Sequence, residues 1–226
     1  LPTPIGCKGN LPMARGRSPG YDDQREMILR HAAELFARRG YPATSMNEVA
    51  EACGLSKPTL YHYFRDKYNL LVNIADGHVS RLQALVEAVE ARGLAPEPRL
   101  RELIHRFVEE YAHAHHAHRV LTEDVRFLQP EDSERILGKE RAVVAAFATA
   151  LAQMRPDTEA AGLTKALTML LFGMINWMFT WLKPQGALSY DAMAPVVADL
   201  FLGGLGAVQT PTPKRIKEMD KNYLTS

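Results

Sequence analysis

Cysteine is nearly absent from this chain, with Cys7 and Cys53 the two in 226 residues. They support no disulfide framework, and neither lies in a C-x-x-C spacing that would suggest a metal or redox centre. A surplus of charge of either sign is missing too: Lys and Arg number 27 against 26 Asp and Glu, for a formal net charge of +1. No global basic field draws the protein onto nucleic acid or membrane, so any DNA binding must rest on a local patch. Long apolar runs are also lacking. The longest uncharged stretch, between Lys165 and Lys183, holds about seventeen residues and is interrupted by Asn176, short of the roughly 20 that a spanning helix needs; it reads as a buried helix. No apolar core precedes a small-residue cleavage site near the N-terminus, so no signal peptide is expected and the cysteine usage suits a reducing cytoplasm. There is no Gly-rich phosphate loop, nucleophile elbow or kinase-like signature, hence no support for catalysis and no cofactor is expected.

An apolar fraction of 46% is enough to fill a real core. Residues 1–20 hold four prolines and the charges Lys8, Arg15 and Arg17 without an acid, a basic arm by composition in which Met13 could be the natural start. Residues 209–226 alternate Thr-Pro-Thr-Pro with charges and read as a tail. Between the two, helical periodicity runs almost throughout, and neither an alternating strand pattern nor an internal repeat is visible. The expectation is an all-α fold.

The first helix is expected over 22–39, opening on Asp22-Asp23 and stopping at Gly40. Ser45 with Glu48 three residues on forms a capping box for a short second helix that Gly54 ends. Ser56 caps a third helix, with Pro58 in its first turn and an end near Phe64. Asp66 caps a fourth, on which Leu70, Leu71, Ile74, Val79, Leu82, Leu85 and Val89 recur up to the Gly93/Pro96/Pro98 break. Further helices are expected at about 98–117, 119–128, 131–155, 158–183 and 189–208. The domain division follows: a helix-turn-helix unit over 21–68 and a larger helical unit over 69–208.

Two short helices joined by Gly54-Leu55-Ser56 and crossed by a first helix make a helix-turn-helix, which offers its second short helix to a DNA groove. In the run Lys57-Pro58-Thr59-Leu60-Tyr61-His62-Tyr63-Phe64, Leu60 and Phe64 share the core face. Lys57, Thr59, Tyr61, His62 and Tyr63 then spread outward. Lysine donates to guanine or phosphate, the threonine methyl meets a thymine methyl, and tyrosine and histidine donate to phosphate oxygens. Thr44 and Ser45 before the second helix, and Lys67 at the start of the fourth, add donors where helix N-termini favour phosphate.

The segment AAELFARRGYPATSMNEVAEACGLSKPTLYHYFRDKYNLL, residues 32–71, resembles the DNA-binding domain of the TetR family of bacterial transcriptional regulators. The resemblance rests on Phe36, Gly40, Thr44, Val49-Ala50, Gly54, Leu60-Tyr61, Tyr63-Phe64 and Lys67. It implies an all-helical homodimer whose heads bind a palindromic operator in double-stranded DNA and whose C-terminal domain takes a small molecule. On that resemblance Lys57, Thr59 and His62 contact bases or grooves, while Thr44, Ser45, Tyr61, Tyr63 and Lys67 hold phosphates. Residue 57 varies within the family, so the operator sequence does not carry over. The stretch LLFGMINWMFTWLKPQGALS, 170–189, followed by LFLGGL, is similar to a branch of the family that responds to acyl-CoA thioesters or related apolar acids. Under that mechanism an inducer shifts the fourth helix so that the heads no longer match the groove spacing.

Phe107, Tyr111, Phe127, Phe147, Phe172 and Trp177, with few interior charges, suit a mainly apolar effector pocket, and Asn176 supplies a polar anchor. Trp177, Phe179 and Trp181 with Met169, Phe172 and Met178 equally suit core or dimer packing, and the last two helices are expected to form a four-helix dimer interface. Arg106, Arg119 and Arg126 are the basic candidates for a CoA phosphate. His113, His115, His116 and His118 invite a metal reading, but no carboxylate or cysteine joins them at helical zinc spacing, and no metal is expected. Rival readings are an effector-independent structural or cell-division factor on the same fold, a drug-sensing regulator, and a metal-dependent enzyme built on the histidines.

Overall fold

A computed structural model describes residues 20–182, 186 and 188–210, apart from the Phe179 side chain. The arm before Gly20 and most of the expected tail lie outside the described residues. Ten α-helices follow one another: α1 Tyr21–Arg39, α2 Met46–Ala52, α3 Lys57–Tyr63, α4 Lys67–Glu90, α5 Pro96–His113, α6 His115–Glu123, α7 Pro130–Met154, α8 Pro156–Ala160, α9 Thr164–Trp181 and α10 Tyr190–Leu205. A 3₁₀ turn, Val125–Phe127, separates α6 from α7, and no strand occurs among the described residues.

The capping chemistry read from the sequence is in place. Ser45 and Glu48 form a reciprocal box, and Ser56 and Asp66 each accept a backbone N–H three residues on. Gly40 and Gly54 take the positive φ values of 85° and 64° that the turns on either side of α2 require.

Farther along, the chain departs from the expected limits. Pro96 opens α5 instead of ending the break before it, because a proline in the first turn lacks only an N–H that has no helical partner. The helix expected to run to 117 stops at His113, and α6 begins two residues later across a bend at Ala114. Its expected end at 128 becomes the 3₁₀ turn. The helix expected from 158 is two, because Gly162, at φ 70°, reverses the chain between α8 and α9.

Two cores result. One gathers Ile28, Phe36, Val49, Leu60, Phe64, Leu70, Leu71 and Ile74 from α1 to α4, closed by Val120 from α6. The other joins the far half of α4 to α5, α7, α9 and α10 around Leu103, Phe107, Phe147, Leu171 and Ile175. The first half of α4 thus belongs to the helix-turn-helix core and the second half to the larger domain. Being one uninterrupted helix, it carries displacement from one to the other. No helix among the described residues is long and apolar enough to cross a membrane.

Candidate nucleic-acid interface and effector domain

Helix α3 is held by one row of side chains. Leu60 and Phe64 are buried, and removing an apolar side chain from such a site costs about 2–5 kcal/mol, so the opposite row is presented on a fixed base. That row is Lys57, Thr59, Tyr61 and His62, all exposed. Tyr61 keeps 43% of its surface open, and the Lys57 ammonium stands 6.0 Å from its ring centroid. The Thr59 hydroxyl pairs with Ser56 Oγ at 2.7 Å, which leaves its methyl to a partner. Tyr63 is half-buried, stacked on Tyr21 with centroids 4.8 Å apart, and edge-on to His62 at 5.5 Å. The start of α1 therefore braces the end of α3.

Of the residues expected to hold phosphate, Ser45 is exposed beside α2, its Oγ and N–H both bound to Glu48. Those bonds and the neighbouring Arg39 hold the Glu48 carboxyl below its ordinary range. Thr44 is different. It is buried, and its hydroxyl donates to the Gly40 carbonyl at 3.0 Å, so the side chain shapes the α1–α2 turn instead of reaching outward. Lys67 reaches back over the same turn, donating to the Tyr41 carbonyl at 2.9 Å and the Pro42 carbonyl at 3.1 Å, with the Tyr41 ring 4.6 Å below. An ammonium has three donors, so one N–H remains for a phosphate.

The effector candidates do not gather in one place. Phe107, Phe147 and Phe172 do meet, as a cluster of edge-on rings 4.8–6.3 Å apart in the larger core, with Tyr111 6.2 Å from Phe107. Asn176 lies one turn from Phe172, and its Oδ1 is buried without a hydrogen-bond partner among the described residues. Trp177 points elsewhere: five residues from Phe172 is about 140° around a helix, and it is 67% exposed on the outer face of α9. Phe127 is also misplaced as a pocket residue, since its ring packs 5.4 Å from Tyr41 in the helix-turn-helix core. Arg106 pairs with Glu102 and Glu109, Arg119 pairs with Glu123, and Arg126 lies over the Phe127 ring.

Three features escaped the sequence reading. A cleft of about 800 Å³ opens between α1, α4 and the α5–α6 bend, with Arg25, Arg30, Arg81, Glu110, His113 and His116 among its walls. A buried imidazole pair ties α4 to α6, His78 Nε2 lying 3.3 Å from His118 Nδ1, and His118 stacks on Tyr111 at 3.9 Å. Burial pushes the His118 imidazole down to about 4, and burial with His118 and Arg81 nearby holds His78 well below its usual value. Finally, Met169, Leu170, Trp177 and Trp181 of α9 with Val196 and Leu200 of α10 make a continuous exposed apolar face. A monomeric soluble surface rarely carries such a face uncovered.

Comparison with known proteins agrees with this architecture. Residues 28–74 match the family described as bacterial regulatory proteins, tetR family, and residues 93–205 match the tetracyclin repressor-like C-terminal domain. A TetR-family regulator of Bordetella parapertussis is 36% identical and superposes with a TM-score of 0.78, covering 84% of this chain and 100% of that one. AibR, solved with isovaleryl coenzyme A and operator DNA, is 25% identical with a TM-score of 0.65, covering 84% of this chain and 100% of its own. The transcriptional activator FasR of Mycolicibacterium smegmatis is 30% identical over 122 residues, 54% of this chain and 56% of FasR; that match spans little more than half of the relative. The outward row of α3, the two cores joined through α4 and both family matches lead to one assignment: the chain belongs to the TetR family of bacterial transcriptional regulators.

Proposed function

We propose that the protein is a homodimeric repressor that occupies a near-palindromic operator and is released by a small apolar effector, an acid or its coenzyme A thioester. The observation that carries the DNA half is the exposed row Lys57, Thr59, Tyr61 and His62 on a helix whose other row is buried. Two such helices, one per protomer, enter major grooves one helical turn apart, about 34–36 Å. Dimerisation covers the apolar face of α9 and α10.

The effector half is supported by AibR, whose structure holds isovaleryl coenzyme A, and by the larger core itself. The Phe107, Phe147 and Phe172 rings pack against one another, so an apolar tail enters by parting them, and the unpartnered Asn176 Oδ1 accepts a hydrogen bond from a polar group on the ligand. Parting α5, α7 and α9 moves the far half of α4 and with it the heads. Release requires that the effector bind the displaced form more tightly than the DNA-binding form.

Titration of fatty acids, aromatic acids and their coenzyme A thioesters into the protein–operator complex tests the reading. Release by one of these classes, with lowered transcription from the operator in the effector's absence, is the expected result. Release by cationic lipophiles alone makes it a drug sensor, and higher transcription with bound protein makes it an activator.

A further inference from the structure

The effector domain reaches into the helix-turn-helix core at one point, the segment that follows α6. Asp124 there is buried, and its carboxylate accepts the backbone N–H of Tyr41. Three residues on, the Phe127 ring lies 5.4 Å from the Tyr41 ring, on which Phe36 also stands edge-on at 5.3 Å. Asp124 and Phe127 move as one piece, because the Phe127 N–H donates to the Asp124 carbonyl at 2.9 Å and the Asp124 N–H to the Val120 carbonyl at 2.9 Å. Tyr41 in turn is what Lys67 rests on, through its carbonyl and its ring. The turn is stiffened beyond Tyr41 by the Thr44 hydroxyl on Gly40, and it delivers the chain to Ser45.

We propose that Asp124 and Phe127, though they belong to the effector domain, are positioning residues for DNA binding: through Tyr41 they fix where the Lys67 ammonium presents its free N–H to a phosphate. This rests on the reading of Lys67 as a phosphate contact. Helix α6 is placed to work the clasp. It sends Val120 into the helix-turn-helix core, packs Leu121 against Ala75 and Val79 of α4, and holds His118 against His78 and Tyr111. A shift of α6 against α4 therefore displaces Asp124 and Phe127, and Lys67 loses its footing while the fold of the head is kept.

The test is operator affinity across a salt series for the full chain and for Lys67→Ala, Phe127→Leu, Asp124→Ala, Asp124→Asn and the double variant Phe127→Leu/Lys67→Ala. Losing one phosphate contact lowers the slope of log K against log salt by about 0.9. Lys67→Ala should show that drop. Phe127→Leu and Asp124→Ala should weaken binding severalfold and lower the slope in the same direction. Asp124→Asn keeps an oxygen acceptor for the Tyr41 N–H and should restore most of the affinity. The double variant should bind no more than about twofold worse than Lys67→Ala alone. Losses that multiply in the double variant, or a lowered melting temperature with the slope unchanged, overturn the proposal and leave the phosphate reading standing. An unchanged slope in Lys67→Ala removes the phosphate reading and the proposal with it.

Discussion

Lys57 sits on the exposed row of α3, and its described contact is with the neighbouring Tyr61 ring 6.0 Å away. Lys57→Ala is therefore expected to leave thermal stability within about 0.5 kcal/mol and to weaken operator binding by about 1–3 kcal/mol, the worth of a specific groove contact. Unfolding curves and a gel shift at fixed salt measure the two effects; equal affinity for operator and variant takes Lys57 out of the interface. The imidazole pair makes a second prediction with a definite sign. His118 has its folded value pushed from 6.5 to about 4, and His78 shifts the same way. The unfolded chain then binds more protons below pH 6.5, so the stability present above that pH is lost as pH falls towards 4. A shift of this size in a fully buried group corresponds to about 3 kcal/mol for His118. The buried Glu140, whose carboxyl is raised, acts in the opposite sense in part of the window. Urea unfolding from pH 7 to 4.5 should show the fall, and His78→Gln/His118→Gln should flatten it; an equal fall in that variant assigns the effect to other groups.

Elements were legible in the sequence where local chemistry sets them. The caps at Ser45, Ser56 and Asp66 and the glycines at 40 and 54 announce α2, α3 and the start of α4 because each satisfies a backbone group within three or four residues. The bend at Ala114 carried no such signal, since no glycine or proline marks it. Orientation around a helix was legible for α3, where polar and apolar residues alternate by face. It was hidden on α9, where Phe172 and Trp177 are both aromatic yet one is buried and the other 67% exposed. Pairings between distant elements, such as Phe127 with Tyr41 or His78 with His118, depend on tertiary packing that no local pattern encodes. At this scale Leu60→Ala is expected to act unlike Lys57→Ala. The fully buried Leu60 anchors α3, so its truncation should cost about 2–5 kcal/mol of stability and weaken binding to every DNA sequence alike. Stability kept near wild type would mean that α3 is anchored elsewhere.

The whole molecule carries its own reporter of assembly. Its two tryptophans, Trp177 and Trp181, both lie on the exposed apolar face of α9, where the single chain leaves 67% and 49% of them open. No other tryptophan contributes background. If a second copy covers this face, both indoles leave water on association, and emission at high concentration is blue-shifted relative to the dilute protein. Leu170→Glu places a charge in the middle of the face, at a residue that is 64% exposed in the single chain, so the fold of the protomer should survive while association is lost. The variant is expected to sediment as a monomer and to emit at the red-shifted wavelength at every concentration. One head in place of two makes half the phosphate contacts, so its salt slope for operator binding should fall to roughly half that of the parent. A Leu170→Glu protein that still sediments as a dimer with blue-shifted emission would put the interface on another surface, and the two-headed reading of the operator would then have to be rebuilt from that surface.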